Sequence, residues 1–321
     1  MQIKNKKFIV TGGAGFIGSH VIEQLLIKDP AKVIIIDNLE RGKLDNLAHL
    51  DQDKLQFVQA DINDREQIEN LFEDIDGCFH LAGLRITQCA SEPQKAFHSM
   101  VSGAFNVIDL CRQKKVGKVI FSSTASVYGL ADSFPTNESH HPWNNNTLYG
   151  ATKVFGEGVL RAFADTDDLN YIALRYFNVY GPRMDAYGKY TEVMIRWMEC
   201  FENNQSPKIF GDGQQTMDFV YVGDVARANI LAMESELADA VYNVASGTET
   251  SLTDVLNELA QAYKGSHLKP EYLEERKVNP VPRRLADTAR AEKDIGFVTK
   301  VDFKEGIQKL VDWYRSLTIS Q

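Results

Sequence analysis

The 321-residue chain lacks a surplus of basic residues. It has 35 Lys and Arg against 44 Asp and Glu, a formal net charge of −9. Nothing in that balance suits a nucleic-acid partner. It also lacks an apolar run long enough to span a bilayer. Only four cysteines occur, Cys78, Cys89, Cys111 and Cys200. Their spacing matches no metal-binding pattern, so no metal is expected, and a reducing cytoplasm suits them. Met1 to Lys7 carries positive charge, but neither a long apolar region nor a small-residue cleavage site follows, so no secretory leader is expected. Repeats and low-complexity segments are missing too. What is present is 44% hydrophobic residues, enough for a large core in one domain or two closely joined ones.

The core begins with a short buried strand, Phe8-Ile9-Val10. It runs through Thr11-Gly12-Gly13-Ala14-Gly15-Phe16-Ile17-Gly18 into a helical pattern ending near Ile27. Gly13, Gly15 and Gly18 meet the spacing G-x-G-x-x-G between strand and helix. Such glycines allow a tight turn and close approach of the backbone to a pyrophosphate, and the helix N-terminus supplies N–H groups. Val33 to Asp37 is an apolar strand ending in an acid about twenty residues past the glycines. That acid suits ribose hydroxyls and repels a 2′-phosphate, favouring NAD over NADP, although Arg41 lies close by. Asp61 follows the strand Leu55 to Gln59. It suits either an adenine contact or the cap of a helix over about Asp64 to Glu73.

The alternation continues. Cys78 to Gly83 reads as a strand running into small residues, then a long helix covers about Pro93 to Lys114, and Val119-Ile120-Phe121 is a strand ending at Ser122 to Ser126. A helix reaching about Ala164 and the strand Tyr171 to Arg175 follow. Strands alternating with helices predict an α/β fold with a doubly wound parallel sheet of Rossmann type. Residues 1–178 are expected to form the cofactor-binding domain. Residues 179–321 are expected to form mainly a smaller α+β substrate-binding cap, with some segments returning to the sheet. Helices are expected there near Thr191 to Glu202, Val225 to Ser235, Leu252 to Tyr263 and Phe303 to Ser316, with strands near Lys208 to Phe210 and Asp218 to Val222.

Tyr149 and Lys153 lie four residues apart at the start of the helix that reaches Ala164, so both project from one face. A free tyrosine has a pKa of about 10 and is a poor base near neutral pH. A neighbouring ammonium and a cationic cofactor ring would favour the phenolate. The pair therefore suits proton transfer beside an oxidised nicotinamide.

Six stretches together carry a family resemblance. They are Thr11 to Gly18, His80-Leu81-Ala82-Gly83, Ser122 to Gly129, Tyr149 to Lys153, Arg175 to Arg183, and Gly211-Asp212-Gly213 through Asp218 to Val222. The chain resembles, nearly end to end, the extended short-chain dehydrogenase/reductase family and within it the NAD-dependent nucleotide-sugar epimerases and dehydratases, such as UDP-glucose 4-epimerase. The resemblance implies NAD held by Gly12, Gly15, Phe16, Ile17, Gly18, Asp37, Asn38, Asp61, Ile62, Leu81, Ala82, Gly83, Ser122, Tyr149 and Lys153. It implies catalysis by Thr124, Tyr149 and Lys153, with Lys153 keeping Tyr149 acidic. A nucleotide-diphospho-sugar, UDP-linked, would meet Arg85, Thr124, Ser126, Asn178, Arg183 and Arg284. A homodimer would form through two long helices, near 93–114 and 148–164.

The same resemblance bears on the reaction. Dehydratases and decarboxylases of this family carry an acid just before Val-Tyr-Gly, where this chain has Ala125 and Ser126. Neither can act as a carboxylic acid. Inversion at sugar C4 is therefore favoured, with a 4-ketoreductase or a dehydratase using Glu138 or Glu192 as alternatives. Met217 stands where relatives often have a diphosphate-binding arginine, which leaves Arg183, Lys277, Arg283 and Arg284 as candidates for the phosphate charge. Met100 and Ser99 stand where many relatives have asparagine.

Overall fold

The computed structural model describes residues 1–186, 192–265, 267–275 and 281–319. Seven strands form one parallel sheet: β1 Lys7–Thr11, β2 Lys32–Asp37, β3 Leu55–Gln59, β4 Gly77–His80, β5 Lys118–Thr124, β6 Tyr171–Tyr176 and, from much later in the chain, Ala240–Val244. Most are apolar runs buried on both faces, as a parallel sheet covered by helices requires, while the edge strand β3 is half-buried. Three strands precede the seventh in sequence: β7 Asn178–Tyr180, β8 Lys208–Phe210 and β9 Thr216–Tyr221. The seventh is thus β10, and the sheet order is β10-β6-β5-β4-β1-β2-β3. The order reverses between β1 and β4. Ligands of such sheets bind at the carboxyl ends beside that reversal.

Helices cover both faces. Phe16–Ile27 and Val222–Glu234 bury Val21, Ile22, Leu25, Val225 and Ala226 against one. Gly103–Gln113 and Leu148–Asp167 bury Val107, Ile108, Leu110 and Leu160 against the other. The remaining strands are smaller: β7, β9 and β11 (Glu249–Ser251) make a mixed three-stranded sheet, and β8 pairs with β12 (Glu271–Leu273). Around them the helices Val193–Glu202, Leu252–Tyr263 and Phe303–Ile319 share a second apolar core containing Trp197, Met198, Leu259 and Leu310.

The fold class is the expected one, a doubly wound parallel sheet, and several elements differ locally. The run Ala-Val-Tyr-Asn-Val was not read as a strand, yet it is buried throughout and pairs with β6. The long helix expected over about Pro93 to Lys114 is divided by a wide π turn at His98–Ser102. That turn directs the Met100 sulfur to the Leu84 N–H, 3.0 Å away. Asp61 does not cap the helix after β3. Asp64 does, accepting from the Gln67 N–H at 3.2 Å, while Asp61 accepts from Asn63 N at 2.9 Å and Asn38 Nδ2 at 3.0 Å.

Candidate active site

A cleft of about 1640 Å³ runs along the carboxyl ends of the sheet and under the C-terminal unit. Every residue that the family resemblance assigned to cofactor, catalysis or substrate lines it, from Gly12 and Asp37 through Lys153 to Asn178 and Arg284. Of the two further candidates for the phosphate charge, Lys277 lies outside the described residues and Arg283 turns elsewhere, pairing with Glu249 at 2.7 Å.

At the cofactor end, the chain leaves β1 at Gly12 with φ +69, where a Cβ would stand 2.7 Å from Ala82 N. A Cβ on Gly18 would fall 2.2 Å from the Gly12 carbonyl oxygen. These two positions require glycine. Gly13, the first glycine of the spacing read in the sequence, instead faces Ile22 and Ile35. The helix Phe16–Ile27 starts from Gly15 with no side-chain cap, so its first N–H groups point into the cleft as an anion site. The Asp37 carboxylate accepts from Ala14 N at 3.0 Å and Leu39 N at 2.9 Å. Burial raises its pKa, and those two bonds work against the rise. Beyond β4, Leu81 N and Ala82 N donate to the Thr11 carbonyl and hydroxyl at 3.1 and 3.3 Å, which brings this turn against Gly12. The cradle, the open helix terminus and the acid on β2 fit a dinucleotide with a free ribose diol.

At the other end, Thr147 caps the helix Leu148–Asp167, its hydroxyl accepting from Gly150 N at 3.0 Å. That cap sets the rotation of the first turns and turns Tyr149 and Lys153 inward together. Tyr149 faces Thr124 at the end of β5, whose side chain favours its phenolate. The Thr124 hydroxyl accepts from Ser126 N at 3.1 Å. Lys153 Nζ donates to the Ser122 carbonyl at 2.6 Å and lies 5.0 Å from the Phe121 ring centroid. Burial pulls the Lys153 ammonium down to about 8, against the pull of Cys89 and Glu157.

Burial pushes the Tyr149 phenol up to about 12. Thr124 and the charges of Arg41 and Arg284 oppose that rise, while Cys89 adds to it. Lys153 is committed to Ser122. Arg284 is buried, with Nη1 3.5 Å from Ser126 Oγ, and burial lowers it to about 10. Arg41, which in sequence hinted at a 2′-phosphate, interacts with Arg85, Asp185, Glu192 and Tyr149. Arg85 pairs with Glu192 at 3.2 Å. Arg41 and Asp185 carried no sequence signal for this end of the cleft, because loops of no fixed spacing bring them there.

Arg183 sits at the cofactor end. Its Nη2 donates to Glu23 and, at 2.8 Å, to His20 Nδ1, both on the glycine-loop helix. Met217 packs into the apolar core of the C-terminal unit. Asn178 opens β7 and lines the cleft. Behind the site, Glu157 receives Arg175 through two bonds of 2.9 and 2.6 Å. Arg175 also donates to the Tyr128 hydroxyl at 3.0 Å. This pair ties the Tyr149 helix to β6 and to the turn after Thr124, and the sequence reading passed over it.

A dinucleotide cradle opposite a tyrosine–lysine helix defines an enzyme of the Rossmann class. Residues 8–245 match the NAD dependent epimerase/dehydratase family, and the chain belongs to that family, whose cofactor is NAD. It is 34% identical to the UDP-glucose 4-epimerase of Mycolicibacterium smegmatis, covering 96% of this chain and 98% of that one. It is also 29% identical to a UDP-N-acetyl-alpha-D-glucosaminuronate decarboxylase of Bacillus cytotoxicus, covering 97% and 98%. Among solved structures it is similar to the UDP-N-acetylglucosamine 4-epimerase of Methanobrevibacter ruminantium M1 in complex with UDP-N-acetylmuramic acid. There the TM-score is 0.92 at 36% identity, over 98% and 99% of the chains.

Proposed function

We propose that the protein is a nucleotide-diphospho-sugar 4-epimerase acting on a UDP-linked sugar. The observation that carries this reading is a cleft in which Tyr149 faces the Thr124 side chain while Ala125 and Ser126 offer no carboxyl group. Tyr149, with Thr124, takes the proton of the C4 hydroxyl. NAD, when bound in the cradle at Gly12 to Gly18, would supply the hydride acceptor and donor for reversible oxidation at C4. Tyr149 then gives the proton back, so no net redox change occurs. Lys153 is the residue that would hold the nicotinamide ribose, and the helix N-terminus at Phe16 the pyrophosphate. Asp37, Asn38, Asp61 and Ile62 would hold the adenosine. Arg85, Ser126, Asn178 and Arg284 would face the substrate. Relatives named for UDP-sugars support the nucleotide.

A lyase reading needs a proton donor or acceptor at C5. Glu138 accepts from Asn243 N at 2.7 Å and is committed there. Glu192 lines the cleft in an ion pair with Arg85, and it is the residue through which elimination would have to run. The test is incubation of the purified protein, without added cofactor, with UDP-sugars bearing hydroxyl, N-acetyl or carboxylate groups. NMR is expected to show inversion at C4 and Tyr149→Phe to abolish it while NAD stays bound. Stoichiometric consumption of NAD(P)H, or a 4-keto-6-deoxy product, would overturn the reading.

The functional unit we propose is a homodimer through the helices at 93–113 and 148–167. Phe97, Phe105 and Phe155 are exposed on them. The proposed compartment is the cytoplasm, which suits four free thiols.

A further inference from the structure

The loop between Gly129 and the Tyr149 helix holds a cluster that the proposed reaction does not use. Asp132, His140 and His141 present three ligand atoms within 4.8 Å of one another. The cysteine spacing in the sequence pointed to no metal, and these ligands contain no cysteine.

The hydrogen bonds define the cluster. His140 Nδ1 lies 2.8 Å from the His141 carbonyl oxygen, so Nδ1 carries the proton. The lone pair is then on Nε2, which accepts from the Asp132 N–H at 3.3 Å. The same Nε2 faces the Asp132 carboxylate Oδ1 at 2.9 Å. His141 Nε2 approaches the other carboxylate oxygen at 3.6 Å. An ion bound tetrahedrally about 2.1 Å from nitrogen and oxygen ligands sets them roughly 3.4 Å apart. The two observed separations, 2.9 and 3.6 Å, bracket that value.

The cluster is also preformed. The His140 side chain is only 3% exposed and sets its ring edge-on to Tyr128, centroids 5.7 Å apart. The loop is clamped at its ends, Leu130 N donating to Asn144 O at 3.2 Å and Asn144 Nδ2 to Leu130 O at 2.9 Å. In metal sites the second ring nitrogen of a histidine ligand donates to a carbonyl or carboxylate, which fixes its orientation. His140 already has that bond.

We propose that Asp132, His140 and His141 form a binding site for one divalent transition-metal ion, Zn²⁺ by the chemistry of its ligands. Two imidazoles and a carboxylate suit that ion, with water in the fourth position. The ion would staple the loop that joins the Thr124 turn to the Tyr149 helix and press His140 onto Tyr128. Its role is structural.

The experiment uses the full chain, free of any histidine tag and stripped with EDTA, titrated with ZnCl₂ by calorimetry at pH 7.5 and 6.0. Asp132→Asn and His141→Ala are the variants, since both side chains are exposed and neither belongs to the catalytic machinery. One ion per chain is expected, with Kd below about 10 µM. Affinity should weaken at pH 6.0, where the imidazoles take up protons. Each variant should weaken binding by about tenfold or more. Absence of saturable binding at one per chain would overturn the proposal. So would a Kd above that limit, or uptake unchanged in the double variant; each would leave an ordinary His140–Asp132 ion pair.

Discussion

Thr124 faces Tyr149 and works against the effect of burial on the phenol. The base form of Tyr149 is the phenolate, and burial has pushed its pKa to about 12. Turnover should therefore rise as pH increases above neutrality. Removing the Thr124 hydroxyl removes a group that favours the phenolate, so the pKa must go up, not down. Thr124→Val is expected to lower kcat at pH 7 by roughly ten- to a hundredfold and to move the alkaline limb of the pH–rate profile to higher pH. Thr124→Ser should keep the limb in place. A Thr124→Val enzyme with lower kcat but an unmoved limb would mean that Thr124 only positions the sugar.

The site was legible residue by residue where chemistry and spacing coincide. Gly12, Gly18, Asp37, Thr124, Tyr149 and Lys153 all reach one cleft because each lies at a strand end or a helix start that the sequence pattern marks. Arg41 was not legible as a neighbour of Tyr149, nor Asp185 as a neighbour of Arg41, since loop conformation brings them in. The partner of Lys153 was not legible for a similar reason. Helical spacing puts two side chains on one face, but the Ser122 carbonyl decides where the ammonium goes.

At the scale of elements, the helix Leu148–Asp167 is what the site hangs on. Its start is local, set by Thr147 and by Asn145, whose side chain accepts from Thr147 N at 3.2 Å. Its seating is not local. Glu157 meets Arg175 on β6 and, at 2.5 Å, the Ser123 hydroxyl on β5. Both partners are largely buried, with side-chain exposures of 13% and 11%. Breaking such a pair strands a charge away from water, a cost of about 3–5 kcal/mol. Glu157→Gln keeps the shape and one acceptor, so a loss near the lower end, about 3 kcal/mol, is expected in urea denaturation. A change below about 1 kcal/mol would place the pair with exposed ion pairs instead. Elements with strong periodicity, such as Leu252–Tyr263 and Lys208–Phe210, fell where the sequence put them. β10 did not, because five residues of buried strand carry no alternation to read. The π turn was missed because its cause, the contact of Met100 with Leu84, is tertiary.

For the whole molecule, the open question is what covers the outer face of the helices at 93–113 and 148–167. Their inner faces are packed on the sheet, yet Phe97 is 51%, Phe105 39% and Phe155 38% exposed. Phe105 also stacks near Phe163, ring centroids 6.1 Å apart, so aromatic surface continues from one helix to the other. Burying a phenylalanine is worth about 1.5–3 kcal/mol. In a twofold dimer each such residue counts twice, because the same patch meets itself. A stable interface needs about 800 Å² from each partner, a size two long helices can supply. Light scattering is therefore expected to give twice the 36.1 kDa chain mass. The double variant Phe105→Glu with Phe155→Glu puts four like charges into that interface and should shift the mass to that of one chain. It should also unfold at lower urea, since Leu148 and Tyr149 begin one of the paired helices. A wild-type protein that scatters as a single chain at micromolar concentration would remove the dimer and leave the exposed aromatics without a role.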